Sequence, residues 1–539
     1  MGQHQTKEIT PRPTPSRSSS SLKSSLKPIE LRSLRQTFDD LKTLHNGGLE
    51  CIETKAFLAR LELPEIAEPG GILLFKAFSY LGAYPNLGPV PLTLDAFTTA
   101  FVVLSGKRNA DEYDPTANED IFFDSLAIPN SSKPAALQDT SSSNDDQDNR
   151  PKTAPPSAIK PTSSPSGDMS LASLGFTFDE LDLNSVTKAA EDTSPRVLCR
   201  DLRDLFILFL WIVKEEMKEG LIKDAHLEEP DPEALLTTAD HLVQSLATVG
   251  EDSVSRDAFK VWRDRNAPAL FRAVQSFVYS KFDLPSTLVL EKDVVAVPAQ
   301  TDILHILHCA MLSWCLPPPA VQQWERLYSA QEHGFSMNRF ESHVFRYPGP
   351  TLLIIQGDTG DPDDLILGAY LTEKWKHSRH FWGTSDCFIF ELSPTLEAFR
   401  TLPETKKKND QYVYYHEGFG LGFGGTTHKQ HPTTSRDVLL WLSDTLQEGT
   451  FIQELYPASP TFAHAQQRPS FEKSFETINV EVFGLGDAKA RQQQERAWEF
   501  EKREALRRSG LQLRHGDQEM DRELLRMAGI INDENRQER

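Results

Sequence analysis

Cysteine is scarce in this chain. There are five in 539 residues (Cys51, Cys199, Cys309, Cys315, Cys387), odd in number and scattered without a recurring spacing. Such usage excludes a disulfide framework and predicts a reducing compartment. Long apolar runs are also missing. The strongest, "LFILFLWIV" at Leu205–Val213, is about half of the roughly 20 residues that a membrane-spanning helix needs. The N-terminus has no apolar signal-peptide core. Positive charge is in deficit: 57 Lys and Arg against 78 Asp and Glu give a net charge of −21. Broad nucleic-acid binding depends on neutralising phosphates, so this balance argues against direct nucleic-acid contact. It suits solubility and a basic protein partner. Hydrophobic residues make up 39% and mean hydropathy is −0.43, which predicts sizeable segments outside any packed core. At this length two or three domains are expected.

Catalytic signatures are missing as well. "EGFGLGFGGTTHKQH" (Glu417–His431) is the one glycine-dense stretch that invites a phosphate-cradle reading. A P-loop needs a lysine directly after its last glycine, but Thr426 and Thr427 follow Gly425. A dinucleotide turn needs G-x-G-x-x-G opening a helix, and neither the spacing nor the sequel fits. Phe419, Leu421 and Phe423 alternate with glycine, which predicts a strand with apolar side chains on one face and a close neighbour on the other. His305, His308, Cys309 and Cys315 cluster in "HILHCAMLSWC". Zinc usually takes four convergent ligands as two tight pairs, so a core helix is the better reading. Asp358, Asp361, Asp363 and Asp364 in "GDTGDPDDL" read as an acidic hairpin loop. Cys387 in "DCFIF" is expected to be buried in a strand. Ser329, Ser336, His333 and His416 lack a nucleophile elbow or a papain-like surround. His416–Glu417 has the chemistry of an acid/base pair but reads as a strand end. No metal, cofactor or small-molecule substrate is called for, and the expectation is a protein that is not an enzyme.

What is present begins at the N-terminus. "MGQHQT" fits M-G-x-x-x-[ST], the N-myristoylation pattern, with Gly2 as the acceptor. Between residues 7 and 35 stand Lys7, Arg12, Arg17, Lys23, Lys27, Arg32 and Arg35 against Glu8 and Glu30. One acyl chain binds membranes marginally, and a basic segment supplies a second signal. Serines in "SRSSSSLKSS" offer phosphorylation as a way to weaken that attraction. The membrane surface is therefore an expected partner through acylated Gly2.

Composition and periodicity divide the chain further. Residues 1–35 read as a disordered basic tail. Residues 36–127 show helix–loop–helix rhythm similar to EF-hand pairs, without the ligand series that calcium needs. "AYPNLGPVPLTLDAF" offers only Asp95, so a calcium-free scaffold is expected. Residues 128–170 have Ser/Pro linker composition, and 171–300 form a second helical region whose "LCRDLRDLFILFLWIVKEEMKEG" predicts a buried helix. Residues 301–486 read as an α+β domain, an antiparallel sheet system with surrounding helices. Its strand-like runs are "PTLLIIQG", "LILGAYL", "DCFIFEL", "QYVYYHE" and "INVEVFGL"; its helical pieces are "CAMLSWC", "VQQWERLYSA" and "DVLLWLSDTLQ". Residues 487–539 form a charged helical tail. Asp487 is placed as N-cap, Glu499–Arg503 and Glu504–Arg508 as i,i+4 pairs, and Gly510 as the stop.

The β-rich segment resembles the TLDc domain. The matching pieces, in order, are "LYSA", "HGFSMNRF", "PTLLIIQ", "LGAYL", "CFIFEL", "GLGFGG" and "VEVFGL". The loop before "LGAYL" is longer and more acidic than the family pattern, and Leu367 stands where phenylalanine is usual. The whole layout, from Gly2 to "LLRMAGI", is similar to the fungal restriction of telomere capping protein 5 family. The resemblance implies a non-enzymatic regulator, because several TLDc proteins bind the vacuolar-type proton-pumping ATPase and control its assembly. It also implies that Gly420, Gly422, Gly424, Gly425 and Glu481 belong to a partner-binding fingerprint. A cytoplasmic protein with a peripheral pool on the vacuolar membrane would follow, as would a part in a process that affects telomere capping. Two rivals are an oxidative-stress protein or enzyme using His416 or Cys387, and an adaptor acting indirectly at telomeres.

Overall fold

The computed structural model describes residues 26–44, 48–104, 115–127, 194–220, 231–282, 298, 300–318, 324–361, 364–402, 412–416, 418–425, 438–456, 461–465, 467–486 and 488–508. Helix α1 (Pro28–Leu41) starts where proline's fixed φ suits the first turn. Glu30 in that turn accepts from the Lys27 amide at 2.7 Å. The helix therefore starts at Pro28, inside the span assigned above to the disordered tail. A hairpin of β1 (Lys42–Leu44) and β2 (Glu50–Ile52) leads into α2 (Thr54–Leu61), then α3 (Glu68–Leu81) and α4 (Leu94–Leu104). The Ile52 amide donates to the Leu92 carbonyl at 3.0 Å, so the two connecting loops are bridged. The second loop, residues 82–93, contains no Asp or Glu and so no carboxylate ligand for a hard cation.

A second pair repeats the plan. It comprises α5 (Pro115–Leu126), β3 (Arg196–Leu198), α6 (Cys199–Gly220), α7 (Pro232–Leu246), β4 (Ser253–Ser255), α8 (Arg256–Asn266) and α9 (Leu270–Lys281). β3 and β4 pair antiparallel, with Val197 opposite Val254. Asp231 caps α7 by accepting from the Ala234 amide at 2.7 Å. Leu205–Leu210, Ile212 and Val213 of α6 are all buried, as an all-round apolar helix requires. The two helical regions share one core rather than standing apart on either side of the linker. Phe123 stacks on Phe259 with centroids 4.8 Å apart, and Phe57 meets Phe282 at 5.3 Å. Arg263 is buried and paired with Glu119 and Asp120 of α5, each at 3.0 Å. Residues 36–127 and 171–300 are thus one body among the described residues. The sequence misses this because composition marks a linker but not what its two ends rejoin.

The sheet region comprises α10 (Ile306–Cys315), β5 (Glu325–Ser329), α11 (Ala330–His333), α12 (Met337–Val344), β6 (Thr351–Asp358), β7 (Leu365–Leu371), β8 (Ser378–Trp382), β9 (Phe388–Ser393), β10 (Glu397–Arg400), β11 (Val413–His416), β12 (Gly420–Gly424), β13 (Leu439–Leu442), β14 (Glu448–Gln453), β15 (Phe471–Gly484) and α13 (Ala488–Arg508). The antiparallel order is β10-β9-β7-β6-β15-β14-β13-β12-β11-β8, with β5 also on β15. β15 serves both halves: Phe471–Glu476 pairs with β14, and Glu476–Gly484 with β6. The halves face each other across a core. Phe399 of β10 meets Phe451 of β14 at 5.3 Å, although these strands are not sheet neighbours. Alternation on β6 sends Leu353 and Ile355 into that core, and Leu352 and Ile354 to the other face, against the helical body. Burial on both faces explains the unbroken apolar run "TLLII".

Two helical expectations fail. In "VQQWERLYSA", Glu325–Ser329 is strand β5 and only the four residues of α11 that follow are helical. In "DVLLWLSDTLQ", Leu439–Leu442 is strand β13, held between β12 and β14. Short apolar runs do not distinguish a helical from a strand period, and the neighbouring strands decide.

Candidate functional sites

The glycine fingerprint forms β12. Gly420 and Gly424 take φ of +93° and +80°, values that L side chains rarely adopt. A Cβ on Gly420 would lie 2.1 Å from the Leu442 carbonyl oxygen, and one on Gly424 would lie 2.3 Å from that of Val438. These residues let β13 approach closely. Gly422 lies opposite Tyr414 and Trp441 on the neighbouring strands, and Gly425 follows the last strand residue. All four are buried. The predicted strand over Leu421 and Phe423 is present, while Phe419 lies in the preceding turn. Residues 426–437, which include His428 and His431, lie outside the described residues.

Glu481, from the same fingerprint, is fully buried on β15. Its carboxylate accepts from Thr301 Oγ1 at 2.7 Å, the Asp302 amide at 2.9 Å and Arg326 Nη1 at 3.1 Å. Arg326 also pairs with Asp302 and Glu332, each at 2.8 Å. Burial nevertheless pushes the Glu481 carboxyl above its ordinary range, against the pull of these donors. The group ties β15 to the segment entering the sheet and presents nothing to solvent. No local pattern marks Thr301, Asp302 or Arg326 as its partners, because they come from two distant segments.

The candidate chemical groups are not brought together. Cys387 is buried just before β9 and lies 3.8 Å from Thr372 Oγ1. His416 is exposed at the end of β11; Glu417 lies outside the described residues. No contact joins Cys387 and His416 among the described residues. His333 Nδ1 accepts from the Ser329 amide at 3.1 Å, bracing the corner from β5 to α11. Ser336 precedes α12 without capping it. On α10, His305 is the N-cap, accepting from the Leu307 and His308 amides at 3.2 and 3.4 Å. His308, Cys309 and Cys315 are buried in the core. Burial pushes the thiols of Cys309 and Cys315 up to about 12 and 11, and His305 down to about 4. The group is part of a core helix, as expected. Asp358 lies in the β6–β7 hairpin and accepts from the Gly360 amide at 2.7 Å, while Asp363 lies outside the described residues. No group of three His, Cys, Asp or Glu among the described residues is arranged to hold a metal ion.

Two contact regions remain. The helical body packs on the sheet through Arg265, which pairs with buried Glu397 at 2.7 Å, and Asn266, which accepts from the Ala398 amide at 2.8 Å. Helix α13 is anchored by its first turns. Ala490 is buried, and buried Gln494 donates to the carbonyls of His343 and Phe345 at 2.9 and 3.2 Å. Further along it is largely solvent-facing, with Phe500 61% exposed. No described helix is long and apolar enough to cross a membrane. Gly2 and the basic tail up to residue 25 lie outside the described residues.

Residues 297–486 match the family described as TLDc domain. This interval contains β5–β15 and the buried Glu481 network. Over 94% of its length the chain is 26% identical to Restriction of telomere capping protein 5 of Leptosphaeria maculans, covering 93% of that protein. It is 24% identical to the proteins of the same name from Colletotrichum graminicola and Pyricularia oryzae, with 93% and 94% of this chain matched and 93% of each relative covered. The chain carries a TLDc domain and is similar, over nearly its whole length, to fungal proteins named Restriction of telomere capping protein 5.

Proposed function

We propose that this chain is a non-enzymatic regulator that binds the vacuolar-type proton-pumping ATPase and influences its assembly. The observation that carries the reading is the TLDc match at residues 297–486, because binding to this pump is what resemblance to that domain implies. Helix α13 adds support. Between residues 488 and 508 it holds seven Lys or Arg and four Asp or Glu, 7 − 4 = +3, on a chain of net charge −21. It leaves the domain with an exposed aromatic side chain at Phe500. Aromatic and arginine side chains are enriched in protein interfaces. Acylated Gly2 with its basic flank would hold the protein at the cytoplasmic face of the vacuolar membrane. Linking a weak anchor to a weak docking site raises the effective concentration at the pump. The names of the relatives point to a part in a process affecting telomere capping, reached indirectly in this reading.

The test adds purified full-length chain to vacuolar membranes and measures how the pump's peripheral sector divides between membrane and supernatant. A dose-dependent shift in either direction supports the reading, and a constant ratio at saturating protein rejects it. A Gly2→Ala chain expressed in cells tests the anchor separately. Its loss from the membrane fraction supports acylation, and an unchanged distribution removes it.

A further inference from the structure

Where the helical body meets the sheet there is a cavity of about 660 Å³. That is within the roughly 300–1,000 Å³ range of sites for small organic ligands. Pro268, Pro317, Pro350, Phe388 and Leu485 give it apolar walls. Among the polar and reactive side chains that join them are Tyr370, Arg400, Asp386 and Cys387. Neither the proposed pump contact nor the core of the fold uses this space.

Two of these groups have unspent capacity. Tyr370 is 5% exposed, and its hydroxyl has no hydrogen-bond partner among the described residues. The residue is buried as a whole but its oxygen is not enclosed by protein, so the hydroxyl opens on the cavity and is free to donate to an acceptor there. Burial pushes this phenol up to about 12, which keeps it a donor. Among the described residues that line the cavity, Arg400 is the one cation. Its Nε donates to the Arg265 carbonyl at 2.6 Å and one Nη to the Cys315 carbonyl at 2.7 Å. Its guanidinium carbon lies 4.4 Å from the Phe388 ring centroid. These contacts hold it rigidly without neutralising it, since none of the carboxylates among the described residues pairs with it. A fixed guanidinium receives carboxylates well. Asp386, exposed on the rim, adds one negative charge and so disfavours a dianion.

We propose that this cavity binds a small organic monoanion, an apolar body carrying a single carboxylate. Arg400 receives the carboxylate, Tyr370 donates a hydrogen bond to the ligand, and the prolines, Phe388 and Leu485 enclose the apolar part.

The test uses the full-length chain and 11-(dansylamino)undecanoic acid, with its methyl ester as the uncharged control. Dansyl fluorescence reports binding. The expected result is a single saturable class of sites, with the ester at least about tenfold weaker because the charge-assisted contact is gone. Tyr370→Phe removes only an unpartnered hydroxyl, so its melting temperature should be unchanged and its affinity about three- to tenfold lower. Arg400→Gln should lose about tenfold or more. Three outcomes overturn the proposal: no saturable binding, equal affinity for acid and ester, or wild-type affinity in folded Tyr370→Phe.

Discussion

Glu481→Ala tests how far one buried carboxylate holds the TLDc domain together. The wild-type side chain accepts from Thr301, the Asp302 amide and Arg326. Arg326 keeps Asp302 and Glu332 after the substitution, so its charge is not orphaned. Thr301 and the Asp302 amide do lose their acceptor. A buried donor left unmet costs about 1–3 kcal/mol, so the two together should cost about 3 kcal/mol. This lies at the lower edge of the roughly 3–5 kcal/mol for breaking a buried pair outright. Glu481→Gln keeps the shape and one acceptor oxygen, and should cost about 1 kcal/mol. The pH dependence carries a second signature. The folded carboxyl titrates above its ordinary 4.5, so its contribution is largest below that value and is lost as pH rises through the folded value. Both variants should lack this downward slope. Urea unfolding of the full chain, followed by tryptophan fluorescence at several pH values, measures both effects. Equal midpoints for wild type and Glu481→Ala would refute the structural role of this network.

Other substitutions bear on other parts of the structure. Gly420→Ala places a Cβ against the Leu442 carbonyl at positive φ, and should cost at least about 2 kcal/mol and lower soluble yield, measured by thermal shift and expression. His305 is held down to about 4, first by burial. Its stabilising contribution is therefore present above about pH 6.5 and lost as pH falls through 4, up to about 3 kcal/mol in all. Glu397, raised to about 7 by burial, acts in the opposite sense over about pH 4.5 to 7. The comparison is thus His305→Asn, which keeps an N-cap acceptor and should make the acid limb of the stability profile shallower, leaving the shares of His308 and His343, which burial also holds down. Gln494→Ala removes the bonds to His343 and Phe345 and should raise the rate of limited proteolysis within α13 without shifting the main unfolding transition.

Patterns confined to one segment were legible in the sequence. The buried α6, the strand over Leu421 and Phe423, the acidic β6–β7 hairpin and the helix after Asp487 each carry their own period or punctuation, and each is present. The errors concern residues whose state is decided by distant partners. Leu439–Leu442 is a strand because β12 and β14 flank it, although the four residues alone also fit a helix. The union of the two helical regions rests on Arg263 with Glu119 and Asp120, and on Phe123 with Phe259. Those pairs are separated by more sequence than any local pattern spans. Candidate-site residues were legible as types but not as roles. Glu481 stood out within "VEVFGL", yet its buried network needed the fold to bring Thr301 and Arg326 to it. Tyr370 carried no sequence signal, since only the cavity distinguishes it from any strand tyrosine.

Binding of the chain to the proton pump is tested most directly by capture. The C-terminally tagged full chain is taken from membranes after brief crosslinking, and co-purifying proteins are quantified for wild type and for Phe500→Asp. Pump subunits enriched with wild type and reduced with the variant are the predicted result. No enrichment of pump subunits with wild type would contradict it.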